Sequence, residues 1–200
     1  MRKVVEAKVN KYLTVKGVEL KPGLSMEECL KQFELKGLTR SESFDIARKQ
    51  FGVFTLEGTF FNHANCSIRI IPSTNDKKIV GVIGINLPYE QSFKKLKNDY
   101  DDLKSALMEK YYLAEYTESF DDDYIEKSTS DRLKLSALAN NECLFKSIFY
   151  ISDVEGGLCL GQVVLTISHI EVGREDLYYV SLSYCTPDNI MEQMTKDEDL

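Results

Sequence analysis

The chain has 200 residues, 43% of them hydrophobic and 28% charged, so it is long enough for a buried core and too apolar for wholesale disorder. Four prolines and eleven glycines exclude collagen-like or low-complexity architecture. The net charge of −7 argues against a nucleic-acid or anionic-membrane binder, because both interactions need excess positive charge.

The first well-marked element is a helix predicted over residues 25–36. Ser25 and Glu28 have the spacing of a capping box, in which each side chain satisfies a backbone N–H at the helix start. Gly37 suits the left-handed position that ends a helix. Before it, residues 12–20 alternate loosely and predict a short strand.

Three strands are predicted next, over residues 51–61, 66–72 and 79–87, because apolar and β-branched residues recur at every second position. The connections at 62–65 and 73–78 are too short for a helical crossover, so neighbouring strands are expected to run antiparallel. Residues 44–50, which precede the strands, predict a helical turn.

A long amphipathic helix is predicted from Glu90 or Ser92 to about residue 112. Its apolar stripe recurs at three- and four-residue steps: Phe93, Leu96, Tyr100, Leu103, Leu107 and Tyr111. The remaining expectations, in order, are a strand over 112–119, a polar break at 121–123, a short helix over 131–139, strands over 143–152, 158–170 and 177–185, and a short helix or frayed acidic tail over 187–200.

This order of elements predicts an α+β fold in which helices pack on antiparallel sheet. The half 12–89 places a helix before three strands and the half 90–186 places the long helix before three or four, which suggests tandem αβββ units. We expect residues 1–200 to form one compact unit made of these two adjoining halves.

The N-terminal residues lack the apolar core of a secretion signal, since Glu6, Lys8, Asn10 and Lys11 interrupt it. The sequence as it stands therefore predicts a cytoplasmic protein, or a secreted or periplasmic one if a leader has been removed. No apolar run is long enough to predict a membrane helix. Five cysteines, an odd number without paired spacing, predict reduced thiols that mostly act as small core residues.

Several stretches in order resemble a group of small, uncharacterised α+β proteins widespread in gut anaerobic bacteria. They are VKGVEL (15–20), SMEECLKQFELKGL (25–38), GTFFNHANCSI (58–68), SFKKLKNDYDDLKSALMEKY (92–111), VVLTISH (163–169) and YVSLSY (179–184). Members of that group usually begin with a secretion leader, which this sequence does not show. The resemblance implies an α+β fold akin to the tandem helix-on-sheet units of β-lactamase inhibitory proteins, and it implies no activity or functional residue.

Chemical motifs are scarce. Phosphate loops, dinucleotide fingerprints, nucleophile elbows and zinc-binding helices are all missing from the sequence, so we expect no cofactor and no metal. The aspartates at 121–123 are consecutive and cannot all face one calcium ion, which favours a solvated linker. One catalytic alternative pairs His63, as a base in a predicted hairpin turn, with Cys66 as a nucleophile, and another uses a carboxylate site; either would be an unrecognised hydrolase-type enzyme.

The favoured hypothesis is a non-catalytic binding or protein-interaction module. Eleven tyrosines and no tryptophan occur in the chain, and tyrosine is common at interfaces because it combines a large area with a polar tip. An antiparallel sheet with one uncovered face would present such residues to a partner. The candidate binding residues are Tyr178, Tyr179 and Tyr184, and the expected partner is an unidentified protein or small ligand.

Overall fold

The computed structural model describes residues 12–152 and 159–189 of the chain. The elements in chain order are β1 (Thr14–Val15), β2 (Val18–Glu19), α1 (Met26–Leu35), β3 (Thr39–Arg40), α2 (Phe44–Phe51), β4 (Phe54–Phe60), β5 (His63–Pro72), β6 (Val80–Asn86), α3 (Phe93–Met108), β7 (Tyr112–Phe120), α4 (Asp123–Lys127), α5 (Asp131–Ala139), β8 (Cys143–Ser152), β9 (Cys159–Val172) and β10 (Glu175–Cys185).

Eight of the strands form one sheet in the order β3-β4-β5-β6-β10-β9-β8-β7, and the paired strands run antiparallel. The two halves meet where β6 pairs with β10, so the last strand of each half lies at the centre of the sheet. The predicted α+β class with antiparallel sheet is confirmed. Each half contains, besides the αβββ order, an outer strand, β3 or β7, and further helix between its first helix and its three-stranded meander. Strand β7 and helix α5 lie where a strand and a short helix were predicted, whereas β3 was not predicted.

Helix α1 begins and ends where its capping residues predict. The Ser25 hydroxyl accepts a hydrogen bond from the Glu28 backbone N–H at 3.2 Å. At the other end Gly37 has φ of 85°, and the Leu38 N–H donates to the Phe33 carbonyl at 3.1 Å. This closing turn folds Leu38 back onto the helix, as a Schellman motif does.

One hydrophobic core joins the two halves. Helix α3 buries the predicted stripe of Phe93, Leu96, Tyr100, Leu103 and Leu107 against it, and α1, α2 and α5 each bury side chains in the same cluster. The strands contribute alternate residues, so that Ile68, Ile83, Leu165 and Leu182 are at most 1% exposed. The helices therefore pack on one face of the continuous sheet.

Three local expectations need correction. Residues 12–20 form the hairpin of β1 and β2 rather than one strand, because Lys16 and Gly17 adopt positive φ values (48° and 76°) that suit a tight two-residue turn. Residues 44–51 form the complete helix α2 rather than a single turn. His63 is the first residue of β5 and pairs with Phe60, so the turn before it is shorter than predicted.

The predicted polar break at 121–123 contains a helix cap, and the predicted tail at 187–200 begins as a helix. Asp122 accepts a hydrogen bond from the Tyr124 N–H at 2.7 Å and so caps helix α4, which the sequence reading did not anticipate. Residues 187–189 are helical, and the rest of the predicted tail lies outside the described residues. Of the helices in the described part of the chain, none combines the length and apolar character needed to cross a bilayer.

Candidate functional site

The strand positions that alternate with the core residues point away from the helices and form what we call the open face of the sheet. On β5, for example, Cys66, Ile68 and Ile70 are buried in the core, whereas Ser67 and Arg69 are exposed on the open face. An antiparallel sheet with one packed face normally shows polar residues on the other. The open face is therefore the side of the sheet opposite the helices that form the core.

A row of polar residues crosses the open face through all eight strands. In its middle, the Thr166 hydroxyl forms hydrogen bonds with the hydroxyl groups of Ser181 at 2.7 Å and Ser168 at 3.0 Å. The three hydroxyl groups therefore satisfy one another. The strand register places the row's members side by side: Thr39, Glu57, Ser67, Asn86, Ser181, Thr166, Lys146 and Thr117.

A second row lies beside it and changes character along its length. Its first part is small and polar around Arg69, its next part is apolar, with Val164 half-buried and Ile148 only 8% exposed, and it ends at the charged Glu115. Ile148 does not belong to the core cluster, and its cross-strand neighbours are Val164 and Glu115. In register the row consists of Thr55, Arg69, Gly84, Ser183, Val164, Ile148 and Glu115.

Two tyrosines stand at one margin of the open face. The rings of Tyr89 and Tyr179 meet edge to face with centroids 5.8 Å apart, and Tyr89 is 58% exposed. Burial raises the pKa of the Tyr179 hydroxyl, and the charge of nearby Arg69 opposes that rise. The pair offers a partner an aromatic surface with polar tips, beside a cation.

The structure separates the three tyrosines that the sequence reading had grouped together. Tyr179 lies on the open face, but Tyr178 and Tyr184 lie on the core face and are 5% and 4% exposed. This separation follows from strand geometry, because adjacent residues point to opposite faces. Burial raises the pKa of the Tyr184 hydroxyl, which keeps it neutral inside the core.

Tyr178 borders a cleft of about 740 Å³ between α5 and the β9–β10 hairpin. Its ring lies 5.4 Å from that of His169, whose Nε2 is 2.8 Å from an Asp176 carboxylate oxygen. The cleft is also lined by Leu135 and Glu175. Its volume is in the range of small-molecule sites.

The contacts around His63 and Cys66 do not join the two side chains. The Cys66 thiol donates to two backbone carbonyls, those of His63 at 3.3 Å and Phe60 at 3.9 Å. The His63 imidazole Nε2 lies 3.4 Å from an Asp99 carboxylate oxygen on α3. Burial raises the pKa of the Cys66 thiol, so the nucleophilic thiolate is disfavoured. These contacts give the dyad hypothesis no support.

The described residues contain no cluster of three or more His, Cys, Asp or Glu side chains arranged to hold a metal ion. The aspartates at 121–123 serve in part as a helix cap, through Asp122.

Sequence reasoning missed most of the polar residues of the open face, among them Arg69, Asn86 and Lys146. Their signal was present, since each occupies a position that alternates with apolar residues in a predicted strand. The signal was too weak to distinguish them from an ordinary solvated surface, because it does not show which strands become neighbours.

The chain matches no protein-family model, no curated protein and no solved structure. The resemblance to the proteins of gut anaerobic bacteria, and the fold likeness to β-lactamase inhibitory proteins, therefore stay predictions.

Proposed function

We propose that this chain is a protein-binding module and that the open face is its binding surface. The observation that carries the proposal is a continuous eight-stranded face whose neighbouring residues combine hydroxyl groups, two cations and exposed tyrosine. Such a mixture of polar groups, tyrosine and arginine is typical of protein interfaces.

The size of the open face fits this role. Seven inter-strand spacings of about 4.8 Å give a width of about 34 Å, and the seven residues of β6 at about 3.4 Å each give a length of about 24 Å. The product is about 800 Å², which is the area that one partner buries in a protein interface of standard size.

The hydrolase alternative has less support. Its Cys/His form depends on the Cys66 thiol and the His63 imidazole acting together, and their observed partners are backbone carbonyls and Asp99 respectively. A binding role requires no such arrangement, because a rigid surface of suitable composition is sufficient.

The test is affinity capture from an extract of the source organism with three forms of the full chain. We expect the wild type and the control Tyr124→Ala to retain the same stoichiometric partner, since Tyr124 is 73% exposed but lies on α4, outside the open face. The double variant Tyr89→Ala/Tyr179→Ala should lose at least about 90% of the captured partner, because tyrosine is among the residues that carry most of the energy of an interface.

Circular dichroism of each variant separates a binding effect from misfolding. A folded double variant that captures the partner as well as the wild type would contradict the proposal, as would capture that fails equally with Tyr124→Ala.

A further inference from the structure

The arrangement of charge on the open face indicates what kind of partner it fits. Two cations, Arg69 on β5 and Lys146 on β8, occupy inner strands, whereas Glu57 on β4 and Glu115 on β7 lie nearer the sheet edges. The two cation positions are four strands apart, or about 19 Å. Each cation thus lies one strand inside an acidic residue, and the three strands between the two cations are uncharged in both rows, in a chain whose net charge is −7.

Arg69 has no ion pair or hydrogen bond from its side chain to any described residue, and neither has Lys146. The Arg69 guanidinium lies across Gly84 of the next strand, where its Nε is 3.8 Å from the position that a Cβ of residue 84 would take. Its direct cross-strand neighbours are Thr55 and Gly84, both uncharged. Glu57 is only one row away on β4, yet the Arg69 side chain turns toward β6 instead.

The helix side of the sheet is different, because several lysines there have carboxylate partners within the chain. Lys97 lies 2.6 Å from an Asp101 carboxylate oxygen, and Lys104 pairs with Glu118. The chain has 32 acidic and 25 basic residues, so carboxylates are in excess. Arg69 and Lys146 on the open face remain without a carboxylate partner among the described residues.

We propose that the partner of the open face is a protein that presents an acidic side chain to Arg69, with a second acidic group within reach of Lys146. This inference rests on the proposed function and specifies its partner. A guanidinium recognises a carboxylate through two parallel N–H···O bonds, and the Tyr89–Tyr179 pair beside Arg69 would exclude water from that contact. The negative margins at Glu57 and Glu115 would repel a partner that is acidic throughout, and so favour one whose acidic groups are confined to the positions that face the two cations.

The test that needs no identified partner is an NMR titration of the ¹⁵N-labelled full chain at low salt with a glutamate peptide, a Gly/Ser peptide of about ten residues in which two glutamates stand about six positions apart. We expect amide shifts centred on Arg69, Gly84 and Lys146. These shifts should disappear at about 0.3 M salt, where charge attraction is screened. The variant Arg69→Glu should abolish them, and the matched control Arg132→Glu, on α5, should preserve them.

Shifts confined to the lysines of α3, or an unchanged response in folded Arg69→Glu, would overturn the proposal. A separate titration with inorganic phosphate provides a further test. If phosphate produces the shifts around Arg69 and the glutamate peptide does not, the site is one for phosphate and the proposal is wrong.

Capture of the natural partner distinguishes this inference from the proposed function. We expect Arg69→Glu to weaken that complex at least about tenfold, as the loss of an interfacial charge pair does. If Tyr89→Ala/Tyr179→Ala abolishes capture but Arg69→Glu and added salt do not affect it, the open face binds protein but not through a carboxylate. If none of these variants affects capture, the proposed function itself fails.

Discussion

Truncation of Phe33 to alanine tests the packing of α1 on the sheet. The side chain is fully buried in the core that the two halves share. A buried aromatic side chain removes about 150–250 Å² from water, which at about 25 cal/mol/Å² corresponds to about 4–6 kcal/mol. Alanine keeps part of that burial, and measured Phe→Ala losses in cores are about 3–5 kcal/mol. We therefore expect Phe33→Ala to lower the free energy of unfolding by about 3–5 kcal/mol.

Urea unfolding followed by far-UV circular dichroism measures this loss. With a slope of about 2 kcal/mol per molar urea, the midpoint should fall by about 2 M. The matched control is Leu35→Ala on the same helix, where the side chain is 78% exposed and the expected loss is below about 0.5 kcal/mol. A loss below about 1 kcal/mol for Phe33→Ala, or equal losses for the two variants, would refute the assigned helix face.

Two further predictions concern cysteines. The Cys66 thiol should react with a disulfide reagent only as fast as the chain opens, because it is buried and hydrogen-bonded to backbone carbonyls, and His63→Ala should leave that rate unchanged. Mass spectrometry of each cysteine measures the rate of labelling. Fast labelling of Cys66 that His63→Ala slows would support the catalytic hypothesis instead. Burial raises the pKa of the Cys29 thiol from 9.0 to about 12, so the folded chain keeps its proton at pH values where the unfolded chain loses it. The contribution of the protonated Cys29 thiol to the free energy of unfolding is complete below about pH 9 and is lost as the pH rises toward about 12. In urea unfolding, the difference in stability between the wild type and Cys29→Ala should therefore shrink over that range. A difference independent of pH would contradict the raised pKa of the buried thiol.

Local patterns predicted most elements because the signals that define them lie within a few residues. Ser25, Glu28 and Gly37 mark the ends of α1 through bonds to their own helix, and β8 occupies the predicted range 143–152. The predictions failed where a turn depended on backbone conformation rather than on residue type. Lys16 adopts positive φ without being glycine, and so one expected strand became a hairpin.

The candidate site was predicted less completely. Strand alternation alone requires Tyr178 and Tyr179 to point to opposite faces, and it separates Arg69 from Ile68 and Ile70. Which of those faces the helices cover, and which residues of distant strands become neighbours, depends on contacts between residues far apart in sequence. Tyr179 reached the open face and Tyr184 the core for that reason.

The amino-acid sequence by itself determined the helix caps, the alternation of apolar and polar residues along the strands and the apolar stripe of α3, since each depends on the spacing of neighbouring residues. Only the tertiary structure decided that β6 pairs with β10 to make one sheet, that His63 meets Asp99 rather than the Cys66 thiol, and that Arg69 lies near Tyr179. These contacts connect residues tens of positions apart, and their formation follows from the burial of a shared core that no local pattern encodes.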